Sequence, residues 1–365
     1  MQQHYVYEGP IHEKYLSSGT ETLLSFKPRL SNDLKLEMMI SEMLSLVNTR
    51  MRPRLEQCFV VTQFNDEFRA YVSRHRQKLD GEIIFFADGL SNAIFLYSVL
   101  LAWFVFHAME FERQGIEHRS TFKVKNSRLT EVIVKEKIDR YAKNLGKLQS
   151  RWNERGRLAI DETDLNYQVE MFWEAPQPVA NLAVAFASFA HKFIIGHEYA
   201  HYLLGHLEVK DNYFELSKIF ADHMFTAPSP SVLKEYEADL ISLALNSGAF
   251  MEQQRLSNLR ITGDAFSGMA LTLTVLGQIT DSQKESETHP AIIDRFAQCG
   301  TILNAFGKKD DKATLGMYNS FQRFLFETQN RGIWEAIRSY QHPVIKKDEY
   351  GARFIKDTIS GKSPK

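Results

Sequence analysis

The chain has 365 residues, 44% hydrophobic and 24% charged, with a formal net charge of −1 at pH 7. That composition belongs to a globular protein with a sizeable core, in one large domain or two merged ones, and it gives no electrostatic pull towards nucleic acid or an anionic membrane. The two cysteines, Cys58 and Cys299, match no metal spacing and read as free thiols of a reducing compartment. The polar N-terminus has no basic stretch followed by an apolar run, so no signal peptide is expected and the expected location is cytoplasmic.

The first 30 residues read as irregular. Ser31-Asn32-Asp33 offers an N-cap to a Met- and Leu-rich helix running to about Arg52, with Pro53 stopping it. Residues 58–62 (CFVVT) read as a strand, Asp66 to Lys78 as a helix, and Glu82 to Phe86 as a second, buried strand. Asp88-Gly-Leu-Ser-Asn leads into a long apolar helix reaching about Gly115. Within it Ala93–Met109 is the most apolar run, 17 residues that include Ser98 and His107. A spanning helix needs roughly 20 apolar residues, so a buried core helix is favoured and membrane association is not.

Residues 118–160 are charged and mix helix with loop. The alternation in 166–173 (NYQVEMFW) predicts a strand, ended by Pro176 and Pro178. Its edge is one place where an extended peptide could pair. Val179 starts a long helix through residue 206. A loop at 227–231 (APSPS) precedes a helix capped by Ser231 and closed by Asn246-Ser-Gly248. Further helices are expected over 265–280, 290–306 and 312–340. The fold class is mainly α (α+β) with a small sheet. Three regions are expected: 1–160, α/β and of unknown role; 161–306, carrying the chemistry; and 307–365, a helical extension.

The chemistry begins with GHEYAHYLLGH at 196–206. On a helix, His197 and His201 share a face one turn apart, which suits two imidazoles gripping one tetrahedral cation. Glu198 sits beside them, placed to act as a general base on a water at the metal; this is the HExxH arrangement. His206 is a poor third ligand, because on a continued helix it lies about 140° around from His201. A metzincin-type site would need Gly at 204 and His at 207, where the chain has Leu204 and Leu207. His206 is therefore expected to support the site or lie on the surface.

A downstream carboxylate fits better. In Glu235-Tyr-Glu-Ala-Asp239, Glu235 and Asp239 share a helix face. Glu235 can be the third ligand, and Asp239 can accept the free ring N–H of a ligand histidine. Glu237 points about 200° away from Glu235 and is expected to be solvated or paired. Further on, His289 precedes Pro290 and Arg295 follows about two turns later. A histidine and an arginine at a zinc site can stabilise an oxyanion. The other His-Pro pair, His342-Pro343, has Asp348 where an arginine would be needed.

HExxH, then Glu-x-x-Ala-Asp, then His-Pro-x-x-x-x-Arg, in that order, resembles the gluzincin metallopeptidases of the HtpX and CAAX-prenyl-protease type. The likeness covers roughly residues 165–305. It implies a zincin-like core in which His197, His201 and Glu235 bind Zn2+, Glu198 is the base, Asp239 supports a ligand histidine, and His289 and Arg295 sit at the catalytic centre. It implies an endopeptidase acting on a protein or peptide substrate through zinc-bound water. Integral-membrane members place spanning helices around the site, whereas residues 207–230 here are too polar to span, so a soluble relative is expected. Phage-exclusion peptidases, intracellular enzymes acting on one host protein, are a second similar group. A catalytically silent, zinc-stabilised protein that binds a partner through residues 1–160 is the reading from another class.

Overall fold

The computed structural model describes residues 31, 34–63, 69–74, 82–113, 175–207, 227, 229–251, 260–279 and 289–307. The expected strand at 166–173 and helix at 312–340 lie outside the described residues. The described residues are mainly helical, with one three-stranded sheet. The chain divides into two compact units, one formed by Met1–Phe95 with Ala185–Lys309 and the other by Leu96–Val184 with Asp310–Lys365.

Helix α1 (Leu34–Ser45) buries Leu36, Ile40, Met43 and Leu44, one face at helical spacing. It stops short of the expected Arg52. The Asn48 side chain accepts from the backbone N–H groups of Arg50 (3.1 Å) and Met51 (2.9 Å), a local turn that competes with the helix. Pro53 then sits in the first turn of a short helix α2 (Arg52–Leu55), where its missing N–H costs nothing, so it opens a helix rather than stopping one.

Strands β1 (Cys58–Gln63), β2 (Ala70–Arg74) and β3 (Glu82–Ala87) form a sheet in the order β1-β3-β2. β1 runs parallel to β3, with Cys58 opposite Glu82; β2 runs antiparallel to β3, with Val72 opposite Ile84. All six residues of the central strand β3 are buried, as its continuous apolar run requires. β2 corrects the helix expected over Asp66–Lys78. Tyr71 and Val72 suit a pleated, half-buried surface, and pairing with β3 outweighs the helical spacing. Tyr71 stacks on Phe85, ring centroids 4.9 Å apart.

Helix α3 (Asp88–Arg113) follows β3 directly and buries much of its first half. Its apolar stretch, Gly89–Trp103, is short for a span. Among the described residues one helix, α4 (Gln177–Leu203), is long and apolar enough to cross a membrane. Helix α5 (Pro230–Asn246) is capped by Ser229, not by the expected Ser231; its hydroxyl accepts from the Val232 N–H at 3.2 Å. The reason is Pro230, which occupies the first helical position and makes the residue before it the cap. α5 is closed by a turn at Gly248, φ 70°, with Ala249 N–H bonded to Ala244 O and Gly248 N–H to Leu245 O.

Helices α6 (Gly263–Ile279) and α7 (Ile292–Phe306) pack with α5 and with each other. α5 is tied to α4 by hydrogen bonds from Ser242 Oγ to Phe193 O (2.7 Å) and from Asn246 Nδ2 to Lys192 O (3.1 Å). α6 lies so close to α4 that a Cβ on Gly268 would come within 2.2 Å of Phe189 O. These contacts hold the last turns of α4 against the face of α5 that carries the downstream carboxylates.

Candidate metal centre

The buried last two turns of α4 present His197, Glu198 and His201, and α5 presents Glu235 and Asp239. One donor atom from each of His197, His201 and Glu235 lies within 4.8 Å of the other two. The two Nε2 atoms are 3.1 Å apart; Glu235 Oε2 is 3.4 Å from that of His197, and Oε1 is 3.5 Å from that of His201. Two imidazoles and a carboxylate, all aimed at one point, are a donor set suited to zinc.

The rings are oriented from behind. His197 Nδ1 lies 2.9 Å from Asp239 Oδ1, so its N–H donates to the carboxylate and its Nε2 is left facing Glu235 and His201. Asp239 is itself gripped by Arg295, whose Nε donates to Oδ2 at 2.8 Å and whose Nη2 donates to Oδ1 at 2.6 Å. Both partners are buried. Arg295 thus lies against Asp239. His289, with a side chain 60% exposed, stands at the opening, its Nε2 3.9 Å from Glu235 Oε1.

His206 is placed differently from the position a continued helix would give it. The helix ends at Leu203, and Gly205 adopts φ 71°. Gly205 N–H bonds to Tyr202 O and His206 N–H to His201 O at 3.0 Å, a left-handed glycine cap that folds the chain back on itself. His206 Nδ1 consequently comes within 2.8 Å of His201 Nδ1, and its Nε2 within 3.2 Å of Glu237 Oε2. Both His206 and Glu237 are thereby partnered.

The charges of this cluster oppose its burial. Burial alone would lower the His197 pKa, but hydrogen bonds and charge from Asp239 and Glu235 raise it to about 10. Burial and the neighbouring His197 cation lower His201 to about 3. Glu235, despite burial, is held well below the usual carboxylate range by its hydrogen bond to His197 and by the charges of His197 and Arg295. Without metal, His197 is therefore the protonated ring at neutral pH and His201 the neutral one. Glu198 behaves oppositely: burial pushes its carboxyl up to about 7, against the pull of His197 and of a hydrogen bond from the Val72 backbone.

That last bond ties the base to the sheet. Ala70, Tyr71 and Val72 of β2, an edge of the sheet among the described residues, line a cleft of about 510 Å³ that also contains His197, Glu198, His201, Glu235, His289 and Arg295. The rest of the wall is largely apolar, including Leu90, Phe193, Leu276 and Ile292. The sequence reading missed β2 and the His206–Glu237 pair. The signal for the pair was Gly205, a helix-closing glycine directly before His206.

The family model Peptidase U49 matches residues 93–317, more than half of the chain and a range that includes all of these site residues except those of β2 and Leu90. Neither the curated proteins nor the solved structures give a match.

Proposed function

The chain belongs to the Peptidase U49 family, and from that premise we propose that it is a zinc-dependent endopeptidase of gluzincin type, with the metal held by His197, His201 and Glu235. The observation that carries this reading is the convergence of those three donors on one point, with Asp239 setting the His197 tautomer. Zn2+ bound there would supply a Lewis acid that acidifies water and polarises a peptide carbonyl.

The chain's own groups do the rest. Glu198 accepts a proton from the attacking water and returns it to the leaving amine. His289, at the open side of the site, donates to the oxyanion that develops on the scissile carbonyl. Arg295 works through Asp239, fixing the carboxylate that fixes His197. The side of β2 away from β3, an edge among the described residues, pairs with an extended substrate backbone, and the apolar wall takes a side chain beside the scissile bond. Glu198→Gln should keep the metal, shown by metal analysis, and lose cleavage of a peptide library by several orders of magnitude. Wild-type turnover in that variant would sink the mechanism.

A further inference from the structure

We propose that His206 and Glu237 form a positioning relay for His201, the counterpart on this ligand of what Asp239 does for His197. The proposal rests on the metal site described above and deepens it. Each ligand histidine needs its Nδ1–H held so that Nε2 faces the metal as a bare lone pair. Asp239 does this directly for His197. No carboxylate of α5 is bonded to His201 Nδ1; Glu237 lies two residues from both Glu235 and Asp239 and so points to another side of the helix. The gap is bridged by His206. His201 Nδ1–H donates to His206 Nδ1 at 2.8 Å, which fixes the proton of His206 on Nε2, and that N–H donates to Glu237 Oε2 at 3.2 Å.

Three features make this a built arrangement. The backbone of His206 is bonded to the same residue as its side chain, through its N–H to His201 O. That fold-back depends on Gly205 in the left-handed region. The turn is then tied to α5 a second time, by Lys234 Nζ donating to His206 O at 3.3 Å. The side chains of His206 and Glu237 are 9% and 17% exposed, so water competes weakly for their bond.

The test is zinc affinity of the full-length protein, measured by competition with a chromogenic chelator, for His206→Ala, Glu237→Gln and the double variant. Losing such a supporting partner weakens metal binding by about 10–100-fold. His206→Ala should show that loss, Glu237→Gln a smaller one, and the double variant no more than His206→Ala alone, because the carboxylate acts only through the ring. His206→Gln, whose carbonyl can accept from His201 Nδ1–H, should recover part of the affinity. A slowly exchanging ring N–H signal from His201 should also disappear in His206→Ala while that of His197 stays. Wild-type affinity in both single variants, or additive losses in the double, would overturn the relay and leave the metal site standing. A wild-type protein that binds no zinc would overturn both. Should His206→Ala fail to fold, Glu237→Gln and His206→Gln still decide the matter.

Discussion

At the scale of single residues, Asp239 is the point on which the site turns. It is buried, bonded to His197 through one oxygen and to Arg295 through both. Burial raises its pKa, but the Arg295 charge and its hydrogen bonds outweigh that and hold the carboxyl below its ordinary value. A depressed carboxyl contributes stability above its unfolded pKa of about 3.9, and loses it as the pH falls towards the folded value. Replacing Asp239 with Asn removes the buried charge that Arg295 grips through both carboxylate oxygens. Breaking a buried pair from one side costs about 3–5 kcal/mol. Urea unfolding of Asp239→Asn in the presence of chelator should show a loss of that order. Asp239→Asn with Arg295→Leu should recover much of the stability and none of the zinc affinity. Undiminished stability in the single variant would mean that the pair is not what holds this corner.

At the scale of elements, the site depends on how closely α4 is held by α5 and α6. Gly268 is the clearest case: an added methyl would lie 2.2 Å from Phe189 O and 2.6 Å from Phe189 C, so backbone must move. Phe189 is about two turns before His197 on the same helix. Gly268→Ala should therefore cost about 1–3 kcal/mol and also weaken zinc binding, because it displaces the ligand helix. Gly277→Ala makes its nearest contact at 3.2 Å, with a side-chain methyl of Ile292, and should be much milder in both measurements. Equal effects of the two would argue against α4 being the sensitive element.

The elements also show how much the sequence disclosed. The helices around 197, 235 and 295 were legible because their apolar spacing is helical, and the structure brings His197, His201 and Glu235 together. What was not legible came from competition between signals. Pro53 and Pro230 each open a helix, so reading a proline as a stop, or placing a cap after it, misassigns the boundary. β2 carries an ambiguous five-residue pattern, and only its partner β3 decides it. His206 was judged by helical angle although Gly205 ends the helix before it. In each case the deciding interaction joins residues that local periodicity treats separately.

At the scale of the whole chain, the cleft draws on distant stretches of sequence: strand β2 at 70–74, helix α4 at 177–203, helix α5 at 230–246 and the segment around 289–295. All of the cleft's residues belong to one of the two compact units, and that unit is assembled from Met1–Phe95 and Ala185–Lys309. The expected N-terminal region at 1–160 thus supplies part of the cleft wall through β2. On the proposed assignment, metal ligands on separate helices would make binding and folding linked equilibria, because the unfolded chain offers no preformed site. Zinc at about 100 times its dissociation constant adds ~2.7 kcal/mol to the folded state. For a chain of this size that is a rise in melting temperature of about 3–4 °C. Zinc-loaded protein should melt higher than chelator-treated protein by that amount, and Glu235→Ala, lacking one of the three donors, should lose most of the difference. Glu198→Gln should keep it, since Glu198 is assigned to proton transfer rather than to holding the metal. A zinc-induced rise that persists in Glu235→Ala would move the metal away from the α4–α5 face.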